Sequence, residues 1–258
     1  MKVQLLPSTI DENGHASVRQ HLLTMVVDDL VAIDAGCLAF SCSDRQRRQI
    51  RDVVLTHTHL DHIAGLPMFI DDLFATLTDP VIVHGTRDMI DTLERDIFNW
   101  SIYPRFSELK NEHGSVLEYR DFARGSRFDV RHLSFQSIAV NHKVSATGYV
   151  VSDGNVSFGV TGDTAETDDI WRACNAAPNL RAIFVECAFP DEFGELAAAS
   201  FHLTPSKLAA EMSKLSERAF PVYVINLKPM YREKVIAQIA STGLVGVEIL
   251  EIGRVYDL

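Results

Sequence analysis

The densest cluster of metal-binding residue types is the segment 57-HTHLDH-62, which directly follows an apolar, strand-like run. At the end of a strand the chain leaves the sheet, so alternate side chains can converge on one point. His57 and His59 are two residues apart and can face the same ion. Asp61 and His62 follow in the turn and can reach a second ion. Imidazole and carboxylate groups suit zinc, manganese or iron, so the spacing predicts a metal site.

Strand-like runs and helical patterns alternate around this segment. The strand-like runs, recognised by β-branched residues and bounding turn residues, are 25–34, 52–56, 80–84, 146–152, 155–161, 182–186, 221–225 and 246–252. Apolar residues recur at helical spacing over 65–78, 86–98, 204–219 and 230–241. This order predicts an α/β fold, with two mixed sheets packed face to face and helices outside, an αββα sandwich.

Two local signals support these boundaries. The triplet Asp153-Gly154-Asn155 is typical of a hairpin turn between the runs 146–152 and 155–161. The pair Thr204-Pro205 is typical of a helix start, with a capping residue followed by proline at the first helical position.

Length and composition indicate one globular domain. The chain has 258 residues, of which 47% are hydrophobic and 23% charged, and these values exclude a disordered or fibrous chain. We find no repeat and no Pro/Gly-rich linker, so a single domain over residues 1–258 is the simplest prediction.

The charge balance bears on partners and location. Acidic residues outnumber basic ones by 35 to 24, giving a formal charge of −11, which argues against a nucleic-acid partner. A small phosphate ester remains compatible, because bound cations can reverse the local field. No apolar run approaches a membrane span and the first residues lack a signal peptide's apolar segment, so we expect no membrane partner and a cytoplasmic protein.

The motif resembles the HxHxDH sequence of the metallo-β-lactamase superfamily. That resemblance implies a further histidine, matched by His142 in 138-IAVNHKV-144, and a bridging aspartate, matched by Asp163 in 161-TGDT-164. It implies two divalent ions, zinc or manganese and alternatively iron. True β-lactamases usually place cysteine where Asp163 falls, so that activity is disfavoured.

Three segments resemble the class II cyclic-nucleotide phosphodiesterases: 57-HTHLDHIAGL-66, 97-IFNWSIYPRFSEL-109 and 185-VECAFPDEFGELAAASFHLTP-205. The resemblance implies hydrolysis of a small phosphodiester, a 3′,5′-cyclic nucleotide, to the 5′-nucleotide by a metal-activated hydroxide. In this reading Asp61 orients the attacking water and takes its proton. The resemblance also implies a homodimer.

The layout is also similar to ribonuclease Z, in which a histidine at the position of His202 assists the leaving oxygen. This similarity implies that His202 is a general acid; the alternative is a histidine that caps a helix or supports a ligand. In relatives a last histidine binds the second metal, but Asn226 stands at that position here. An amide oxygen is a weaker and harder ligand, so the second site is expected to be weak, to prefer a harder ion such as manganese, or to be empty. The alternative is that Asn226 is only a polar residue at a strand end and that the second metal binds a water instead.

Several alternatives stay open at this point. A ribonuclease Z-like nuclease and a lactone or thioester hydrolase share the expected fold, and Asn226 also allows a degenerate metal-binding protein with little or no turnover. The aromatic residues Trp100, Tyr103 and Phe106 are candidates either for stacking on a base or for core packing. Lys228 and Arg232 are candidates either for a phosphate contact or for ordinary surface charges.

Overall fold

The computed structural model describes residues 1–216 and 219–258. The chain divides into two compact units, and each contains one seven-stranded sheet. The first unit comprises Met1–Ser17, Leu22–Ala123 and Ile252–Asp257, and the second comprises Val18–His21, Arg124–Glu251 and Leu258.

The sheet of the first unit combines antiparallel and parallel strands. In spatial order its strands are Val255–Asp257, Lys2–Leu5, Met25–Val27, Val31–Ile33, Asp52–Val54, Val81–Gly85 and Leu117–Asp121. The last four strands run parallel to one another, and the other neighbours pair antiparallel. The same unit has a separate two-stranded ladder, Lys110–Asn111 with Gly114–Ser115.

The helical segments of the first unit are short. They are Leu38–Ser41, Asp44–Gln49, Leu60–Ile63, Leu66–Leu73, Arg87–Thr92, the π-helical turn Leu93–Ile97 and the 3₁₀ turn Phe106–Glu108. Helix Leu66–Leu73 buries the side chains that its sequence spacing predicted, including Phe69 and Ile70, in the apolar core of this unit. Helical periodicity therefore identified the buried face correctly.

The second unit repeats the same arrangement of antiparallel and parallel strands. In spatial order its strands are Val247–Ile249, Val222–Ile225, Leu180–Glu186, Ser157–Val160, Thr147–Ser152, Leu133–Ala139 and Arg127–Val130. The first four are parallel, and the other three pair antiparallel. Its helices are Asp169–Ala176, the 3₁₀ turn Asp191–Phe193, Gly194–Ser200, Pro205–Met212 and Arg232–Ser241.

The predicted α/β class, with two mixed sheets and accompanying helices, is confirmed. Strands such as Lys2–Leu5 and Leu133–Ala139 and helix Asp169–Ala176 lie outside every predicted run, and several boundaries differ. The run 25–34 is two strands, because Asp28 and Asp29 adopt left-handed backbone angles and turn the chain. The predicted helix 204–219 ends at Met212; its residues 217–218 lie outside the described residues. The single domain over residues 1–258 stays a prediction.

The hairpin turn at 153–155 is confirmed. Strands Thr147–Ser152 and Ser157–Val160 pair antiparallel on either side of it. The Asp153 carboxylate accepts hydrogen bonds from the backbone nitrogens of Asn155 and Val156 at 2.8 and 2.9 Å, and Gly154 takes a left-handed conformation. A side chain that mimics a backbone turn explains why this triplet was recognisable.

Within residues 1–216 and 219–258, no helix has both the length and the apolar character needed to cross a lipid bilayer.

The turn that carries the histidine motif packs against a glycine. A Cβ atom at Gly36 would collide with the carbonyl oxygen of Asp61 and would lie 2.7 Å from the backbone nitrogen of Leu23. These backbone groups form a hydrogen bond with each other, Leu23 N–H to Asp61 O at 2.8 Å, so neither can retreat without breaking it. The position of the motif turn therefore depends on the absence of a side chain at residue 36.

The substitution Gly36→Ala is expected to destabilise the protein by about 2 kcal/mol or more, because overpacking against fixed backbone is costly. For a chain of this size, about 2 kcal/mol corresponds to a fall in Tm of roughly 4–8 °C. Thermal unfolding followed by circular dichroism measures it. Gly194→Ala is the matched control, since Gly194 has ordinary helical angles and open space at its Cβ. An unchanged Tm for Gly36→Ala would contradict the close-packing argument.

Candidate metal centre

In the first unit, the motif is positioned by two neighbouring parallel strands. Strands Val31–Ile33 and Asp52–Val54 pair in register, with Ile33 opposite Val54. Parallel neighbours end at the same edge of a sheet, so the residues that follow them meet there. Asp34 follows the first strand, and Thr56 and His57 follow the second.

Asp34 is the anchor of this edge. Its side chain is completely buried and accepts hydrogen bonds from the Thr56 backbone nitrogen, the Thr56 hydroxyl and His62 Nδ1, each at 2.7 Å. Burial raises the pKa of the Asp34 carboxyl, and the hydrogen bond from His62 opposes that rise. Donors on three sides are what allow a carboxylate to stay buried here.

The same network fixes the proton positions on two histidines. A carboxylate only accepts, so His62 Nδ1 carries the proton that reaches Asp34. The Thr56 hydroxyl donates to Asp34, so its oxygen accepts from His57 Nδ1 at 3.1 Å. Nε2 is therefore the nitrogen with a lone pair on each ring, and both Nε2 atoms are buried. This is the arrangement expected of metal-binding histidines.

The three histidine side chains of the motif cluster in the first unit. The His57 ring centroid lies 4.1 Å from that of His62 and 4.7 Å from that of His59. His59 is the N-cap of helix Leu60–Ile63, and both His59 and Asp61 are partly exposed. Buried and partly exposed ligand types thus share one turn, as the sequence spacing predicted.

The second unit positions its candidate residues in the same way. Its three neighbouring parallel strands end at Val160, Glu186 and Ile225. Asp163 lies just beyond the first of these strand ends, and Asn226 directly follows the third. The predicted bridging aspartate and the residue at the missing-histidine position therefore share one sheet edge with Glu186.

Glu186 has the role in this unit that Asp34 has in the first. It is completely buried, and His202 Nδ1 lies 2.8 Å from its Oε1 atom. Its two oxygens also accept from the backbone nitrogens of Thr164 and Ala188, both at 3.0 Å, and of Leu203 at 3.3 Å. Burial raises the pKa of Glu186, and His202 opposes that shift. Burial alone would lower the pKa of His202, but the Glu186 carboxylate raises it above its ordinary value.

His142, Asp163 and His202 form a compact cluster of ligand atoms. One nitrogen or oxygen from each lies within 4.8 Å of the others. His142 Nδ1 is 3.0 Å from the carbonyl oxygen of Phe201, a residue held in a left-handed conformation, so Nε2 is again the nitrogen available as a ligand. Two imidazoles and one carboxylate are a donor set that suits a divalent transition metal.

Asn226 contacts this cluster through its amide. It is nearly buried, and its Nδ2 atom donates a hydrogen bond of 2.7 Å to Asp163 Oδ1. The atom that faces the carboxylate is therefore a donor, whereas ligation requires the amide oxygen. Metal ligation by Asn226 stays a prediction, and what the structure adds is a contact that orients Asp163.

The structure bears on the alternatives left open for the aromatic and basic candidates. Phe106 is buried among Phe74, Phe98 and Tyr103, which supports the core-packing alternative for this residue. Trp100 is exposed. Arg232 forms an ion pair of 2.9 Å with Glu233, as ordinary surface charges do.

Sequence reasoning missed the two carboxylates that organise the edges, Asp34 and Glu186. Each ends or follows an apolar strand, in 31-VAID-34 and 182-AIFVE-186, and an acidic residue in that position was the signal available. Such residues are common at strand ends, and only the tertiary structure shows that these two are buried against histidines.

Comparison with known proteins agrees with this geometry. The sequence matches the family described as a beta-lactamase superfamily domain over residues 31–222, which is more than half of the chain. The chain belongs to the beta-lactamase superfamily. The predicted fold, two mixed sheets with flanking helices, is that of this superfamily, and the HxHxDH resemblance is confirmed.

Individual relatives narrow the comparison. A Yersinia pestis protein named "Probable 3′,5′-cyclic-nucleotide phosphodiesterase" is 22% identical over 234 residues, covering 79% of this chain and 66% of that protein. The chain thus matches just under two thirds of that relative's length. The crystal structure of unliganded yeast PDE1 is similar with a TM-score of 0.76 at 17% identity, over 100% of this chain and 99% of that one. Human tRNase Z, short form, is similar with a TM-score of 0.69 at 16% identity, over 100% and 99%. The structural likenesses show the fold.

The substitution Asp34→Asn is expected to weaken zinc binding by about 10- to 100-fold, because it removes the charge that fixes His62 and the Thr56 loop. Competition with a chromophoric chelator measures the affinity. Asp79→Asn, an exposed change in the same unit, is the matched control. Unchanged zinc affinity with normal folding would show that this superfamily member does not use Asp34 to orient a metal ligand.

Proposed function

We propose that the chain is a metal-dependent phosphodiesterase that converts a 3′,5′-cyclic nucleotide into the 5′-nucleotide. The observation that carries the proposal is that histidines of both units are held at Nδ1 and so present Nε2: His57, His62, His142 and His202. The names of the Yersinia pestis relative and the likeness to yeast PDE1 support the choice of a cyclic nucleotide.

The proposed metal ligands are those identified from the motif and the resemblance, namely His57, His59, Asp61, His62, His142 and Asp163, with Asn226 as a further candidate. The fit rests on the donor chemistry of each unit, in which imidazoles oriented by carboxylate, hydroxyl or carbonyl groups accompany an aspartate. Two divalent ions, zinc or manganese and alternatively iron, would polarise the phosphoryl oxygens and lower the pKa of the attacking water.

The chain's own groups have separate tasks in this proposal. Asp61 orients the attacking water and accepts its proton. His202 donates a proton from Nε2 to the leaving 3′-oxygen, while Glu186 holds Nδ1 and stabilises the positive charge of the imidazolium. The raised pKa of His202 supports this assignment, because a general acid must be protonated near neutral pH.

One alternative rests on a specific contact. The hydrogen bond from Asn226 to Asp163 gives that carboxylate an amide partner at the position where relatives supply a histidine. A metal-binding protein without turnover would have this feature, and it would hold one ion per chain rather than two.

A ribonuclease Z-like nuclease is the other alternative, because human tRNase Z has a similar fold. The formal charge of −11 disfavours its polyanionic substrate. A cytoplasmic location and a homodimer stay predictions.

Purified protein incubated with cyclic AMP and manganese or zinc is expected to form 5′-AMP, detected by chromatography. The Asp61→Ala variant is expected to form none, because the attacking water loses its orienting base. Asp79→Ala provides an exposed control that should match the unsubstituted protein. Absence of product with every metal, or equal turnover by Asp61→Ala, would contradict the proposed activity.

The substitution His202→Gln is expected to lower kcat by about 10²–10⁴-fold while the metal content stays unchanged, as removal of a general acid should. Steady-state kinetics and elemental analysis of the same preparations test both parts. His132→Gln, an exposed change in the second unit, is the control. Because His202 lies in the cluster with His142 and Asp163, loss of bound metal would instead identify it as a ligand.

A further inference from the structure

The second unit contains a cavity of about 580 Å³ that the proposed chemistry does not use. Its walls come from the segment 18–21, the loop before helix Gly194–Ser200 with part of that helix, and the loop that follows Asn226. The lining residues are Arg19, Gln20, His21, Phe189, Leu196, Lys228, Pro229, Met230 and Tyr231. The volume is in the range of small-molecule sites, which run from about 300 to 1,000 Å³.

Aromatic rings form one side of this cavity. The ring of Phe189 lies 6.0 Å from that of Tyr231, and the ring of Phe193 lies 4.9 Å from that of Tyr231. Two large apolar side chains of the lining, Leu196 and Met230, are 46% and 80% exposed. Apolar side chains exposed together around a concave surface indicate a binding site rather than a packed core.

The cavity adjoins the proposed general acid. Phe189 contacts the ring of His202 edge-on, with centroids 5.6 Å apart. Lys228 is also close enough to act on His202, since its positive charge opposes the rise in the His202 pKa caused by Glu186. A ligand in the cavity would therefore lie beside the group that we assign to the leaving oxygen.

Two cations line the cavity together with aromatic and apolar groups, in a chain that is acidic overall. Arg19 and Lys228 both line the cavity, although the protein carries a formal charge of −11. A local positive field with stacking surfaces suits an anion that carries a flat aromatic group. A long polyanion would instead need an extended basic surface, which the charge balance disfavours.

We propose that this cavity binds one nucleotide, with its base stacked on Phe189 and Tyr231 and its phosphate near Arg19 and Lys228. The inference rests on the proposed function and deepens it, because it identifies the residues that would select a mononucleotide over other phosphodiesters. It assigns base stacking to these aromatic residues and not to Trp100, Tyr103 or Phe106.

Binding of the product tests the inference without turnover. In calorimetric titrations of the metal-loaded protein, 5′-AMP is expected to bind roughly tenfold tighter than ribose 5-phosphate, which lacks the base. Tyr231→Leu and Phe189→Leu should each remove most of that tenfold preference and leave ribose 5-phosphate binding unchanged. Lys228→Met should weaken both ligands by a similar factor, more so at low salt.

Two control variants test whether loss of any aromatic residue or any lysine in the second unit has the same effect on binding. Tyr223→Leu changes an aromatic residue that stacks on Phe184 in the sheet of the same unit, and Lys234→Met changes an exposed lysine paired with Glu192. Neither should alter the ratio of the two affinities. Thermal unfolding of every variant identifies those that fail to fold, and the ratio of 5′-AMP to ribose 5-phosphate affinity is read only from folded ones.

The outcomes separate this inference from the proposed function. Equal affinity for 5′-AMP and ribose 5-phosphate in the unsubstituted protein would overturn the cavity assignment, even if cyclic AMP is hydrolysed. A base preference that depends on Tyr231 would support the assignment, even if no hydrolysis is found. If Tyr231→Leu changes the oligomeric state and leaves the affinity ratio intact, the surface is a contact between two copies and the inference is wrong.

Discussion

A fully buried carboxylate at the end of a parallel strand determines the loops of each unit. Asp34 and Glu186 are both removed from water, and a buried charge is stable only if hydrogen-bond donors surround it. Each carboxylate therefore draws in a backbone nitrogen from the loop after the neighbouring strand and the Nδ1 atom of one histidine, His62 or His202. Because the chain must return to satisfy these oxygens, the loop paths and the imidazole orientations are determined together.

That orientation has a direct chemical consequence. Nδ1 is occupied, so the lone pair or the transferable proton of each ring is at Nε2. Asp163 differs from the two anchors, because its partner is the amide of Asn226 and His202 lies 4.0 Å from its second oxygen. The Asn226 amide nitrogen orients Asp163, and ligation by the weaker, harder amide oxygen stays a prediction. The presence of Asn226 where a histidine ligand is expected therefore bears most strongly on whether the chain binds one metal ion or two.

The superfamily fold does not by itself define the substrate, since one fold supports many reactions. In the second unit, aromatic residues and two cations line a cavity next to His202. The net negative charge acts at long range and opposes large polyanions, whereas Lys228 and Arg19 act locally on a small one. The negative net charge of the chain and the two cations at the cavity thus both favour a small anion over a long polyanion.

The sequence alone predicted the class of fold and the turn that carries the histidine motif, but it missed elements such as strands Lys2–Leu5 and Leu133–Ala139. Histidine and aspartate at HxHxDH spacing are rare by chance, and strand and helix periodicities reflect local backbone geometry. It also identified the hairpin at 153–155, whose turn is stabilised by Asp153 itself. Only the tertiary structure decided that Asp34 and Glu186 are buried anchors, that Phe106 is a core residue, and that Asn226 faces Asp163 with its amide nitrogen. These properties depend on which strand ends become neighbours. The residues that meet there are 22 positions apart for Asp34 and Thr56 and 63 for Asp163 and Asn226, so the local sequence carries no signal of their pairing.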